Sequence, residues 1–87
     1  MTEAWTLTLA AGADWRLLGS TPEKDATEVV VRSFDRDVLV ATGSTPSRPD
    51  AAPLVVRAGS GGRVLGLHVF AKPAHAGAPC RILVRGV

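Results

Sequence analysis

The sequence predicts an all-β fold, a compact antiparallel β-sandwich of about seven short strands with little or no helix, for which a jelly roll is one fitting arrangement. Three observations carry this expectation. Apolar and polar residues alternate with period two, glycine and proline break the alternation at short intervals, and the 3.6-residue period of an amphipathic helix is almost absent. The 87 residues make one domain, 1–87. Its core must be thin, because a chain of this size buries only about 60% of the surface that its unfolded form exposes.

The elements follow in order. Trp5, Leu7 and Leu9 alternate with Thr6 and Thr8, AAGAD then turns the chain, and WRLLGS reads as a partner strand, so that the two form a hairpin. STPEKDA fits either one helical turn, with Thr21 as cap and Pro22 at the first helical position, or a loop. TEVVVRS places Val29 and Val31 on one face and Glu28, Val30 and Arg32 on the other; FDRD turns and DVLVAT continues, predicting a second hairpin over residues 27–42. Residues 43–53, GSTPSRPDAAP, hold three prolines and no hydrophobic period. They read as a surface crossover between two sheets, with a binding arm as the functional alternative. PLVVRA resumes strand character, GSGG reads as a hairpin turn, RVLGLHVFAK is the longest alternating stretch, and the chain closes on CRILVRGV.

Composition narrows the classes. A single cysteine allows no internal disulfide, and no cysteine pairs of a zinc ribbon or finger are present. Oligomerisation is then the common remaining way to add buried surface. No apolar run approaches the roughly 18 residues of a membrane span. Glu3 and the threonines of MTEAWTLTLA argue against a secretory signal, and a soluble protein without membrane partners is expected. Arginine outnumbers lysine eight to two, as GC-rich coding would give. Residues 1–50 carry five basic and eight acidic side chains, a balance of −3, whereas residues 51–87 carry five basic and none acidic, a balance of +5. Such asymmetry fits a basic partner surface or complementary contacts between copies, unless strands of both halves interleave and average it out.

GLHVFAKPAHAGAPC gathers His68, His75 and Cys80. A zinc site needs three or four ligands converging from a rigid frame, and here three are spread over two strand faces and a loop. Cys80 shares its face with Ile82 and Val84, which places the thiol inward as a small hydrophobe rather than as a nucleophile. Asp35 and Asp37 read as a solvated turn, and GSGG leads to neither a helix nor a GK[ST] signature. No catalytic, metal or cofactor-binding residues are therefore assigned, and no cofactor is expected.

In RVLGLHVFAK, Leu65, Leu67, Val69 and Ala71 form the expected core face, leaving Val64, His68, Phe70 and Lys72 outside. Arg81 and Arg85 flank Leu83 on the outer face of the last strand, and Val30 likewise opposes Val29 and Val31. Apolar residues recurring on outer faces suggest contact with another chain, so Val64, His68, Phe70, Arg81, Leu83 and Arg85 are the candidate interface. Two other classes stay open. The basic second half would suit a nucleic-acid groove but offers only Phe70 for base stacking, so nucleic acid is disfavoured against outward arginines that discourage edge pairing. A carbohydrate-binding module would use Trp5, Trp15 and Phe70, yet both tryptophans alternate with leucines as core residues do.

The succession TEAWTLTLAAGADWRLLGS, TEVVVRSFDRDVLVATG with its proline-rich sequel, VVRAGSGGRVLGLHVFAK and RILVRG resembles the small β proteins of tailed bacteriophage particles. The likeness spans nearly the whole chain as a pattern of strands and turns, including a glycine turn before a strand reading VFAK. What it implies is a virion structural component without catalysis, decorating or cementing the capsid or serving in a head spike, neck or tail. It also implies association with its own copies, commonly as a homotrimer, and with the major capsid protein or another virion protein. No functional residue is transferred, because no shared motif aligns.

Overall fold

The structure, a computed structural model, describes residues 4–20, 27–75 and 77–86. Eight strands run through them: β1 (Ala4–Leu9), β2 (Arg16–Ser20), β3 (Thr27–Ser33), β4 (Val38–Gly43), β5 (Leu54–Val56), β6 (Gly61–Gly66), β7 (His68–Pro73) and β8 (Cys80–Gly86). They form two antiparallel four-stranded sheets, ordered β1-β8-β3-β6 and β2-β7-β4-β5. The expected all-β sandwich is therefore the fold. Within it β1 pairs with β8, β2 with β7, β3 with β6 and β4 with β5, so the chain is one long nested hairpin whose tip is the 44–53 segment. Further pairing of β3 with β8 and of β4 with β7 rolls that hairpin into two sheets, which is jelly-roll topology.

The rolling corrects the local expectations. Of the seven connections, only β4–β5 stays within one sheet. The chain reversals AAGAD, FDRD and GSGG were expected to close hairpins, but each is an arch carrying the chain from one sheet to the other. Conversely, GSTPSRPDAAP was expected to cross between sheets and instead joins adjacent strands of one. Turn residues specify that a chain reverses, and nested pairing decides whether it returns to a neighbour in the plane or to the facing sheet. The helical turn considered for STPEKDA lies, over residues 21–26, outside the described residues.

The long strand RVLGLHVFAK divides at Leu67, where the chain passes between sheets. Gly66 makes the corner feasible: a Cβ there would lie 2.6 Å from Cγ2 of Thr42 on β4. Inward positions change parity across the corner, from Val64 in β6 to Val69 and Ala71 in β7. Leu65 and Leu67, expected in the core, are consequently 65% and 36% exposed. Val64, expected outside, packs against the core. That core is built mainly from β-branched residues suited to pleated sheet: Val29 and Val31 of β3, Val38 and Val40 of β4, and Ile82 and Val84 of β8.

The arches are fastened by polar contacts. Asp37 Oδ1 accepts from the Ala58 N–H (2.9 Å) and Asp35 Oδ1 from the Arg81 N–H (3.2 Å), so these carboxylates tie the β3–β4 arch to its neighbours. Buried Ser33 donates its hydroxyl to the Arg36 carbonyl, and the Cys80 thiol donates to the same oxygen at 3.4 Å. The thiol is inward as expected, and burial pushes its pKa up. It packs as part of the core, away from solvent.

Candidate interaction face

The outer faces of the two sheets are unlike. On the β2-β7-β4-β5 sheet, Phe70 stands opposite Leu17 on β2 and Ala41 on β4, pointing away from the core that Val69 and Ala71 enter. It is nevertheless 1% exposed, and the 44–53 loop folds back beside it, with the Arg48 and Pro49 backbone and Cε1 of Phe70 meeting around Gly43. Asp50 and Ala51 both donate their N–H groups to the Thr42 carbonyl at 3.1 Å. The Asp50 carboxylate accepts from the Ser44 hydroxyl at 2.6 Å and from its N–H at 3.2 Å, which holds the carboxyl below its usual pKa. Gly43 permits the close approach: a Cβ there would sit 2.7 Å from the Arg48 carbonyl oxygen and 3.3 Å from Cε1 of Phe70.

The β1-β8-β3-β6 sheet has no such cover among the described residues. Register sets its outer face. Arg85 on β8 stands opposite Val30 on β3, which in turn stands opposite Arg63 on β6; Leu83 stands opposite Arg32, which faces Gly61. Arg81 lies one pair further along, opposite Thr8 on β1, with its guanidinium 5.1 Å from the Phe34 ring centroid. No arginine is directly across from another, so like charges are staggered on the diagonals. Half-buried Val30 and Leu83 form an apolar floor between the guanidinium groups. A shallow groove of about 400 Å³ follows this floor, lined by Val30, Arg32, Gly59, Gly61, Leu83 and Arg85.

Charge on this face is one-sided. Glu28, the register partner of Leu65, is the only carboxylate residue in the sequences of the four strands. Arg32 and Arg85 form no ion pair with a described residue. The expectation that outward arginines guard sheet edges does not account for them, since β8 and β3, which carry Arg32, Arg81 and Arg85, are the two central strands of their sheet.

The structure thus divides the six candidate interface residues. Arg81, Leu83 and Arg85 come together on the open face. Val64 is on the inside of the same sheet, and Phe70 lies under the loop on the other sheet, unavailable to a partner. His68 is on that second sheet too, opposite Gly43, with its Nδ1 buried and without a hydrogen-bond partner among the described groups. Sequence reasoning left Arg32, Arg63 and Gly61 out of the site. Arg32 was placed with Val30 on an outer face, but only the β3–β8 pairing shows that this face continues that of Arg81 and Arg85.

Comparison with known protein families, with curated proteins and with solved structures found no match. The chemistry of the face is therefore argued from its own residues. Among the described residues, no three His, Cys, Asp or Glu side chains converge as metal ligands, and no helix is long and apolar enough to cross a membrane. The aromatic residues weighed for carbohydrate stacking do not share one exposed surface. Trp5 lies at the β1 edge, Phe70 is buried, and the Trp15 ring is approached by the Lys72 ammonium at 4.9 Å from its centroid.

Proposed function

We propose that this protein is a non-enzymatic structural component of a tailed-phage particle, decorating or cementing the capsid through the outer face of the β1-β8-β3-β6 sheet. The observation that carries the reading is the composition of that face: an apolar Val30–Leu83 centre framed by arginines on the central strands of a sheet with no cover among the described residues. Protein interfaces pair a desolvated apolar centre with a polar rim and are enriched in arginine, which supplies both stacking area and directional hydrogen bonds. The jelly roll recurs in viral capsid domains, though equally in lectins and cupins, so it supports the reading without deciding it. The strand pattern that resembles small phage β proteins points the same way.

A cementing chain works by bridging neighbouring subunits, where weak contacts repeated over a lattice add up. Contacts between copies have their own support here. The exposed large hydrophobic residues of the strands, Trp5, Leu17, Leu54, Val55 and Leu65, all belong to β1, β2, β5 or β6, the edge strands of the two sheets. Lateral association, as in the trimer that the resemblance implies, would cover them. The partners are then the major capsid protein or another virion protein together with further copies of this chain, and the site of action is the virion.

Mass spectrometry of purified particles tests the reading. The protein should be present in a fixed ratio to the major capsid protein and remain through density-gradient purification. Its absence from particles released by cells that express it would refute the proposal.

A further inference from the structure

We infer that the groove between β8, β3 and β6 binds an extended, acidic segment of a partner polypeptide, with carboxylates on alternate residues. The inference deepens the proposal above by naming the chemistry of the partner, and it rests on that proposal for the identity of the protein that carries the segment.

Spacing is the first argument. Arg81 and Arg85 on β8 are each a diagonal neighbour of Arg32 on β3. Diagonal neighbours on one sheet face are about 7–8 Å apart. Alternate side chains of an extended strand are separated by about 6.5–7 Å. Carboxylates at positions i and i+2 of such a strand therefore meet successive guanidinium groups, whose planar forks can hold each one bidentately.

Charge complementarity is the second. Arg32 and Arg85 flank the groove with no ion pair to a described residue, and their neighbours across the strands are apolar or glycine. An acidic ligand supplies counter-charges to these arginines, while Val30 and Leu83 seat its aliphatic carbons. Gly61 projects no side chain opposite Arg32, and Gly59, with φ +79°, turns the chain at the same end, so the rim there is open to a strand passing across it.

The floor also separates a polypeptide from a nucleic acid. Single-stranded nucleic acid is held by aromatic platforms on which bases stack. No aromatic residue lines the groove, and the Phe34 ring already has the Arg81 guanidinium over it. Val30 and Leu83 give bases no such surface.

The experiment titrates the full chain, labelled with 15N, with a capped peptide alternating glutamate and valine over seven residues, at 50 mM salt. The expected result is saturable shifts of the amides of Val30, Arg32, Gly61, Leu83 and Arg85, at least fivefold weaker binding by the Arg32→Gln/Arg85→Gln variant, and no binding of a control peptide with glutamine for glutamate. Equal binding of the glutamine peptide, shifts elsewhere on the protein, no binding at all, or preference for a twelve-residue thymidine oligonucleotide would each overturn the inference. Both proteins are also tested for retention on purified particles. Particle binding that is unimpaired in the variant sinks the acidic-segment inference and leaves the structural role standing, whereas failure of both proteins to bind particles, with the peptide result intact, sinks only the structural role.

Discussion

The two outer faces of this sandwich solve the same problem differently. Each sheet carries apolar residues on the side turned away from the core. On the β2-β7-β4-β5 sheet the chain supplies its own cover, laying the 44–53 loop over Phe70 and fastening it through Asp50, Ala51 and the close approach at Gly43. On the β1-β8-β3-β6 sheet the Val30–Leu83 centre is framed by arginines and has no cover among the described residues. One outward surface is covered by the chain itself, and the other has no cover among the described residues, as the proposed docking role requires. Stability should therefore depend on the first and hardly at all on the second.

The largest expected effect comes from Phe70→Ala. Truncating a fully buried aromatic costs about 3–5 kcal/mol, and in a domain with so thin a core the loss should be evident as a lowered midpoint in urea unfolding. A variant as stable as the parent would mean that the loop does not bury Phe70 in solution. Next comes Gly43→Ala. Its Cβ would press on the Arg48 carbonyl, a backbone atom that moves only with the loop, so a cost of about 1–3 kcal/mol is expected. Faster amide exchange at Asp50 and Ala51 should accompany it; unchanged exchange would show that the loop is not held there.

On the open face the effects should be small. The Arg32→Gln/Arg85→Gln variant should unfold within about 0.5 kcal/mol of the parent per site, as exposed substitutions do, and a larger loss would mean that these arginines hold the fold. Smallest of all is the response to acid at the loop. Hydrogen bonds from Ser44 hold the Asp50 carboxyl below its ordinary value of 3.8, so its anchoring contribution is complete above that value and is lost as pH falls through the lowered value. Amide exchange at Asp50 and Ala51, compared with that of core strands, should reveal a local opening that sets in only below the ordinary value of 3.8 and that Asp50→Asn abolishes as a pH-dependent step. A pH-independent loop in the parent would contradict the assigned anchor.

The comparison also explains what the sequence made legible. Inward positions in β3 and β8 follow from simple alternation, so Val29, Val31, Cys80, Ile82 and Val84 were readable as core. Alternation fails at the Gly66–Leu67 corner, where parity changes without a recognisable turn, and this misplaced Val64, Leu65 and Leu67 together. Phe70 was placed correctly on an outer face, but its burial depends on a loop whose prolines look like a crossover. The open face was legible only by halves. Val30 with Arg32 and Leu83 with Arg81 and Arg85 are each visible as local patterns, whereas their union requires β3 and β8 to pair, which joins Val30 to Arg85 and Arg32 to Leu83 across more than half of the chain. The charge asymmetry likewise has no spatial counterpart in halves, because Arg32 from the acidic half joins the arginines of the basic half on one surface.

The central claim, that the arginine-framed face is the docking surface, is tested most directly by adding the protein to purified particles that lack it and measuring the bound amount by sedimentation. The account predicts saturable binding of the parent, in a fixed ratio to the major capsid protein, and its loss in a Leu83→Lys variant that still folds with the parent's stability. Equal binding of parent and variant would contradict it, because the contact would then have to lie on some other surface.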